Sequence, residues 1–219
     1  MTNYLHLEAD GDRDETGLQL HPRLISEADW SRYKSYVAEI FESLGMEMGS
    51  PGTLQTPERF LRALLDATAG YEGDPKLVTL FPDERIGESA CGTHQSVVEG
   101  PITFYSLCEH HAMPFFGHAH VGYVPGEKII GISKLTRLVR LYAMRFSLQE
   151  RIGEEVANAL SEILEARGVA VHLEATHLCT QMRGVRDTET RTQTTTWRGA
   201  FGTDAGLRDQ FLILMRNGV

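Results

Sequence analysis

Between residues 26 and 44 the apolar side chains Trp30, Tyr33, Val37, Ile40, Phe41 and Leu44 recur three or four positions apart, with charged residues between them. That spacing gathers them on one face of a helix. Ser26 stands where an N-cap belongs, and Gly45 with Gly49-Ser50-Pro51-Gly52 ends the element. A second helix opens at Thr56-Pro57, with Thr56 as its cap, Phe60, Leu61, Leu64 and Leu65 as its buried stripe, and Gly70 at its close. From about Gln95 the texture shifts to short apolar or alternating runs, ITFYSL, GHAHVGYV and KIIGI, which read as strands, with Pro125-Gly126 as a hairpin turn. Ser133 caps a helix running to about Arg145, with Leu135, Leu138, Val139 and Tyr142 inward. Another follows from Gln149 to about Arg167, carried by Ile152, Val156, Leu160, Ile163 and Leu164 and stopped by Gly168. VAVHLEATHLCTQ and TRTQTTTWRGAF supply two last strands, joined around residues 184–190.

The order is two strands, two helices, two strands, behind a helical N-terminal region. It predicts an α+β fold with an antiparallel sheet. Residues 1–22 are polar and acidic and are expected to form a mobile arm, residues 23–75 a helical region, and residues 76–219 the main domain. At 42% apolar residues the chain can bury a core without staples.

Charge and cysteine count narrow the setting. A net charge of −9 argues against a broad nucleic-acid footprint, while a few converging cations can still bind one small anion. Three cysteines, Cys91, Cys108 and Cys179, are too few and too odd for a disulfide framework and suit a reducing compartment. MTNYLHLEADGDRDETG lacks the features of a secretory signal, and no run reaches the ~20 apolar residues of a membrane span. A cytoplasmic protein with no membrane partner is expected.

Chemistry concentrates in SLCEHHAMPFFGHAHVGYVPGEK, which holds Cys108 and four of the nine histidines. Cys108 and His111 form C-x-x-H, a spacing by which one turn offers a metal a thiolate and an imidazole. In VHLEATHLCTQ a strand's alternation places His177 and Cys179 on one face. Two thiolates and one imidazole would leave a fourth position for water, the composition of a catalytic rather than a closed structural zinc site. The plainer reading makes Cys179 a small core residue and His177 a hydrogen-bonded histidine; the pairing of the two motifs weighs against it.

SLCEHHAMPFFGHAHVGYVP, followed in order by IIGISKLTRLV, QERIGEEV, HLCTQMRGVRD and a Thr-rich strand, closely resembles the GTP cyclohydrolase I family over about residues 55–215. The resemblance implies the tunnelling fold, in which such subunits assemble around a central barrel, typically as homodecamers with active sites at subunit interfaces. It implies zinc on Cys108, His111 and Cys179, with His110 and His177 as catalytic proton carriers. It implies hydrolysis of GTP at C8, release of formate, and reclosure to 7,8-dihydroneopterin triphosphate, the first step of pterin- and folate-type biosynthesis. Ser133, Lys134, Arg137, Arg183 and Arg59 match the triphosphate-binding positions, and Glu150, with Gln149 beside it, matches the residue that accepts the guanine N1–H and amine. On spacing alone, Arg59 and Arg137 would read as solvated helix charges and Glu150 as a first-turn acid. His118 and His120 are left for structural or surface roles, and Cys91 has none. His118, where many relatives have lysine, and Trp197, where smaller residues are common, depart from the family pattern and bear on substrate preference and interface packing. The rivals are a tunnelling-fold relative acting on another purine, a pterin or a nitrile, and a non-catalytic zinc-stabilised assembly protein. A pterin synthase would carry three histidines on its metal, and a nitrile reductase a nucleophilic thiol without zinc.

Overall fold

The structure is a computed structural model describing residues 20–78, 81–82 and 96–218; residues 1–19, which make up most of the expected arm, and Cys91 lie outside the described residues. Helix α1 (Glu27–Ser43) starts where Ser26 caps it, the Ser26 hydroxyl accepting from Asp29 N–H. Helix α2 (Thr56–Ala67) begins one residue earlier than expected: Gln55 holds the cap position, Thr56 is already helical and Pro57 fills the first turn. The two helices meet through Phe41 and Phe60, edge to face at 5.2 Å. Of its expected stripe, Val37 is buried while Ile40 and Leu44 stay exposed. Two 3-10 turns follow, Ala69–Glu72 and Pro75–Val78. Gly70 docks this region on the domain, its N–H bonding Met144 O at 2.9 Å. A Cβ at Gly70 would meet Leu141 O at 2.0 Å, so only glycine permits the approach.

The domain is built on a five-stranded sheet. Strand β1 (Phe81–Pro82) stands apart from it; β2 (Val97–Cys108), β3 (Pro114–Val124), β5 (Phe146–Ser147), β6 (Gly168–His177) and β7 (Thr192–Gly199) form the order β5-β2-β3-β6-β7. The pairs β2–β3, β3–β6 and β6–β7 are antiparallel, and the two residues of β5 run parallel to the end of β2. Alternation sends Phe104, Phe115, Ala119, Val121, Val171 and Leu173 to one face. There they meet α3 (Ile132–Ala143) and α4 (Gln149–Leu164), whose buried residues include Leu135, Leu138, Ile152, Val156 and Leu160. The expected order of two strands, two helices and two strands is present, as an α+β fold.

Four further local expectations are corrected in the domain. Pro125-Gly126 does not close a hairpin within the main sheet: the next strand, β4 (Lys128–Ile129), turns away and pairs with β1. Gly131, not Ser133, caps α3, so Ser133 lies in its first turn. Helix α4 ends at Leu164 because Glu165 takes the left-handed conformation (φ 48°), leaving Gly168 to open β6. Strand β6 stops at His177, and Leu178–Gln181 coil into the short helix α5, so Cys179 is not on a strand.

The other sheet face carries a small core that the hydrophobic pattern did not announce. After α6 (Ala200–Thr203), helix α7 (Ala205–Arg216) is capped by Asp204, which accepts from Gly206 and Leu207 N–H. Its Leu207 and Phe211 pack with Val124, Ala170 and Phe201. Trp197 joins them, 5.6 Å from Phe211 and 6.1 Å from Phe201 between ring centroids. The unusual tryptophan thus anchors the C-terminal helix.

His172 lies on that face, 7% exposed, 6.5 Å from the His120 ring and hydrogen-bonded through Nδ1 to Thr195 Oγ1 at 2.8 Å. Burial lowers its pKa, opposed in part by Glu174. A depressed folded value means the unfolded chain takes the proton first, so stability falls as pH drops below the unfolded value of ~6.5. Thermal melts from pH 7.5 to 5 should therefore show a smaller acid destabilisation in His172→Gln than in the parent; identical slopes would contradict it.

Candidate metal and catalytic site

The site forms where β2 and β6 end at the same edge of the sheet, on either side of β3. Cys108, 5% exposed, closes β2 and pairs with Met113 through its N–H and the Met113 carbonyl at 2.8 Å. Ala112 turns the chain with a positive φ of 53° and donates to Cys108 O at 2.8 Å. The turn between them carries Glu109, His110 and His111, all exposed, with the two imidazoles edge to face at 6.2 Å. It is pinned twice: Glu109 N–H donates to Ser147 O at 3.1 Å, and the Glu109 carboxylate receives both terminal nitrogens of Arg151, one at 3.1 Å. A bidentate guanidinium grip of this kind fixes orientation as well as charge. Each partner steadies the other's ionised form, Glu109 held below the ordinary carboxylate range and Arg151 raised.

On the other side, His177 ends β6 directly opposite Phe115 in the register. The two rings stack at 4.5 Å and 4°. His177 Nε2 meets Gln149 Oε1 at 2.9 Å. Helix α5 then folds Cys179 back toward β2, with Thr180 Oγ1 donating to His177 O at 2.9 Å. One donor atom each from Cys108, His111 and Cys179 falls within 4.8 Å of the others.

This group could hold a metal ion. Burial and the neighbouring Cys108 thiol push the Cys179 thiol up, with Arg183 pulling the other way. Two facing, partly buried thiols are poor company for one another unless a cation joins them, because a bound metal stabilises the thiolates. Two thiols and an imidazole are also the donor types a zinc-like ion prefers.

The other expected site residues divide between two places. His110 stands next to the metal group, and Glu150, exposed in the first turn of α4, is close enough to His177 to oppose the lowering of its pKa by burial. Arg183 acts on Cys179. Gln149 also belongs here, but its side chain is 1% exposed and turned to His177 and the sheet. Ser133 and Arg137 instead line a cleft of about 480 Å³ with Gly70, Asp74 and Arg140. Arg137 donates to Asp74 there at 3.0 Å, and Lys134 shares the same first turn of α3. Arg59 lies on α2, donating to Gln55 Oε1 at 3.2 Å. Among the described residues, no hydrogen bond or ion pair joins Ser133, Arg137 or Arg59 to the metal group.

Sequence reasoning missed three residues of the site. Phe115 falls just outside the predicted strand GHAHVGYV and has no role there, since its contact with His177 depends on a cross-strand register that spacing cannot reveal. Glu109 and Arg151 were passed over as neighbours of more reactive residues; the only signal was that opposite charges adjoin both motifs.

An α+β subunit that gathers two cysteines and a histidine beside further histidines has the makings of a metal-dependent hydrolase. The family model for GTP cyclohydrolase I matches residues 33–216, so the chain belongs to the GTP cyclohydrolase I family. Its element order is that of the tunnelling fold expected for the family. GTP cyclohydrolase 1 of Campylobacter curvus is 38% identical over 185 residues, 84% of this chain and 95% of that protein. GTP cyclohydrolase 1 of Neurospora crassa is 38% identical over 205 residues, 92% of this chain and 61% of that protein. Among solved structures, the apo form of an archaeosine synthase QueF-Like overlaps 50% of this chain and 97% of that one at 13% identity, with a TM-score of 0.37, too loose a likeness to carry weight. No helix among the described residues is long and apolar enough to cross a membrane.

If Arg151 holds the turn that leaves Cys108 and carries His111, loosening it should weaken metal binding. Removing such an outer partner costs roughly 10–100-fold in affinity. Arg151→Gln is expected to show that loss in a chelator competition titration; parent affinity would remove the ion pair from this role.

Proposed function

We propose that the protein hydrolyses the guanine ring of GTP at C8, releasing formate and forming 7,8-dihydroneopterin triphosphate, with zinc on Cys108, His111 and Cys179. The observation that carries the reading is the convergence of those donors within 4.8 Å, next to His110 and His177, in a chain of this family. Bound there, zinc would supply a Lewis acid able to make water nucleophilic near neutral pH.

The protein's own residues supply binding and proton traffic. One water adds across C8 and the C8–N9 bond opens to a formamide. A second cleaves the formamide and frees formate. One water leaves as the rearranged ribose carbon chain closes the new ring, so one water is consumed overall. Protons must move on and off ring nitrogens at each stage, and His110 and His177, as imidazoles, can both take and return them. The exposed carboxylate of Glu150 accepts from the guanine N1–H and amine, while an adenine edge would leave it unpaired. Arg183 offers a cation to the triphosphate beside the metal group.

The cations and hydroxyl of the second place, Ser133, Lys134, Arg137 and Arg59, are proposed to complete the triphosphate site from a neighbouring copy. Their grouping around a separate cleft and on α2 supports that division. It agrees with a homodecamer whose sites lie between subunits.

Purified protein given GTP should release formate and develop pterin fluorescence, and lose both on chelation. Cys108→Ser should abolish formate release while circular dichroism stays native. Loss of the fold in that variant would favour a structural metal, and absence of formate from the metal-loaded parent would reject the activity.

Glu150→Gln tests recognition of the base. Replacing the acceptor leaves polar groups of the guanine edge unpaired, worth about 2 kcal/mol, or ~30-fold in GTP affinity. Parent affinity for GTP in this variant would remove Glu150 from the role.

A further inference from the structure

The side-chain amide of Gln149 is buried behind His177 in an environment that permits one orientation only. Its Nε2 lies 3.0 Å from Leu173 O, 3.0 Å from Thr192 O and 3.2 Å from Thr194 Oγ1. Two of these three neighbours are carbonyls, which can only accept. The amide NH2 must therefore face them, although nitrogen and oxygen of a glutamine are otherwise interchangeable in shape. Flipping it would set Oε1 against two carbonyl oxygens and forfeit both hydrogen bonds, in a side chain 1% exposed and so cut off from compensating water. With the NH2 so committed, Oε1 is the atom that meets His177, and an amide oxygen can only accept.

We infer that Gln149 holds neutral His177 in the tautomer protonated at Nε2, so that Nδ1 carries the lone pair and is the nitrogen that exchanges protons with the substrate. The 2.9 Å contact to Gln149 is satisfied only if Nε2–H donates. The ring cannot easily turn to offer Nδ1 instead, because it is stacked against Phe115, whose side chain is 0% exposed. Among the described residues Nδ1 has no hydrogen-bond partner. A histidine in the opposite tautomer would present a donor where the reaction first needs an acceptor, which is how a correctly placed imidazole can be made idle.

Gln149 is thus a positioning residue rather than a contact to the base. The amide reads the sheet on one side, through strands β6 and β7, and transmits that fixed polarity to the imidazole on the other. The part played by Nδ1 in turnover rests on the proposed GTP hydrolysis; the tautomer itself does not.

The test is neutron diffraction from deuterated crystals of the native protein at pH 8, where histidine is ordinarily neutral. Deuterium on Nε2 of His177 with Nδ1 bare is the expected result. Deuterium on Nδ1, with or without Nε2, overturns the inference. In parallel, Gln149→Met keeps length and burial but removes both the donor and the acceptor. Its turnover of GTP should fall roughly 10–100-fold, the usual cost of losing a histidine's outer partner, with GTP affinity within ~3-fold of the parent and metal content unchanged. Parent turnover, or a lost affinity with turnover intact, counts against the positioning role. Should the variant fail to fold, the neutron result from the native protein decides alone. A native protein that shows the expected deuterium but releases no formate from GTP would leave the tautomer standing and reject the substrate.

Discussion

Phe115 sits opposite Ser106 of β2 on one side and opposite His177 of β6 on the other. That double registration of β3 sets the ends of β2 and β6 level at one edge of the sheet, and the meeting of the metal-binding side chains depends on it. The ends of two strands separated by about seventy positions in the chain are thus aligned across β3, so Cys108 and Cys179 can face one another. A slip of one residue would send Phe115 out of the core and His177 off its stacking partner, since alternation reverses every side chain. The buried set around Phe104, Phe115 and Leu173 opposes such a slip, and Gly117 reinforces it. A Cβ at Gly117 would lie 1.9 Å from Glu174 O, so β3 and β6 approach there more closely than another residue allows.

Helix α4 then ties packing to chemistry. Its inner face, Ile152, Val156 and Leu160, belongs to the core. Its first turn supplies three consecutive side chains with different tasks: Gln149 behind His177, Glu150 toward solvent beside it, and Arg151 on Glu109. One helix therefore grips both strand ends, β6 through Gln149 and the β2 turn through Arg151. Reactive groups on exposed turns gain rigidity from elements whose burial is assured.

The architecture was largely legible because period and punctuation are local signals. The stripes of α3 and α4 and the alternation of β2, β3, β6 and β7 stood in the residues themselves. Where the reading failed, nonlocal contacts decided. KIIGI looks like the return strand of a hairpin, yet β4 joins β1, a choice made by tertiary pairing. Helix α7 declares itself only through Trp197 and Phe201, which give its Phe211 something to pack on. Cys179 is instructive: alternation put it next to His177 on a strand, whereas a helical turn brings it to Cys108. The ligand set was legible from chemistry even though the backbone carrying it was misread. Gln149 and Phe115 could not have been assigned to His177 without the register.

The convergence of two sulfurs and one imidazole on a single ion is open to X-ray absorption at the zinc edge on metal-loaded protein. The expected spectrum has a shell of two sulfurs at about 2.3 Å and nitrogen or oxygen at about 2.0–2.1 Å. The sulfur shell should halve in Cys179→Ser. A spectrum with no sulfur shell, or one that Cys179→Ser leaves intact, would contradict the site at its root.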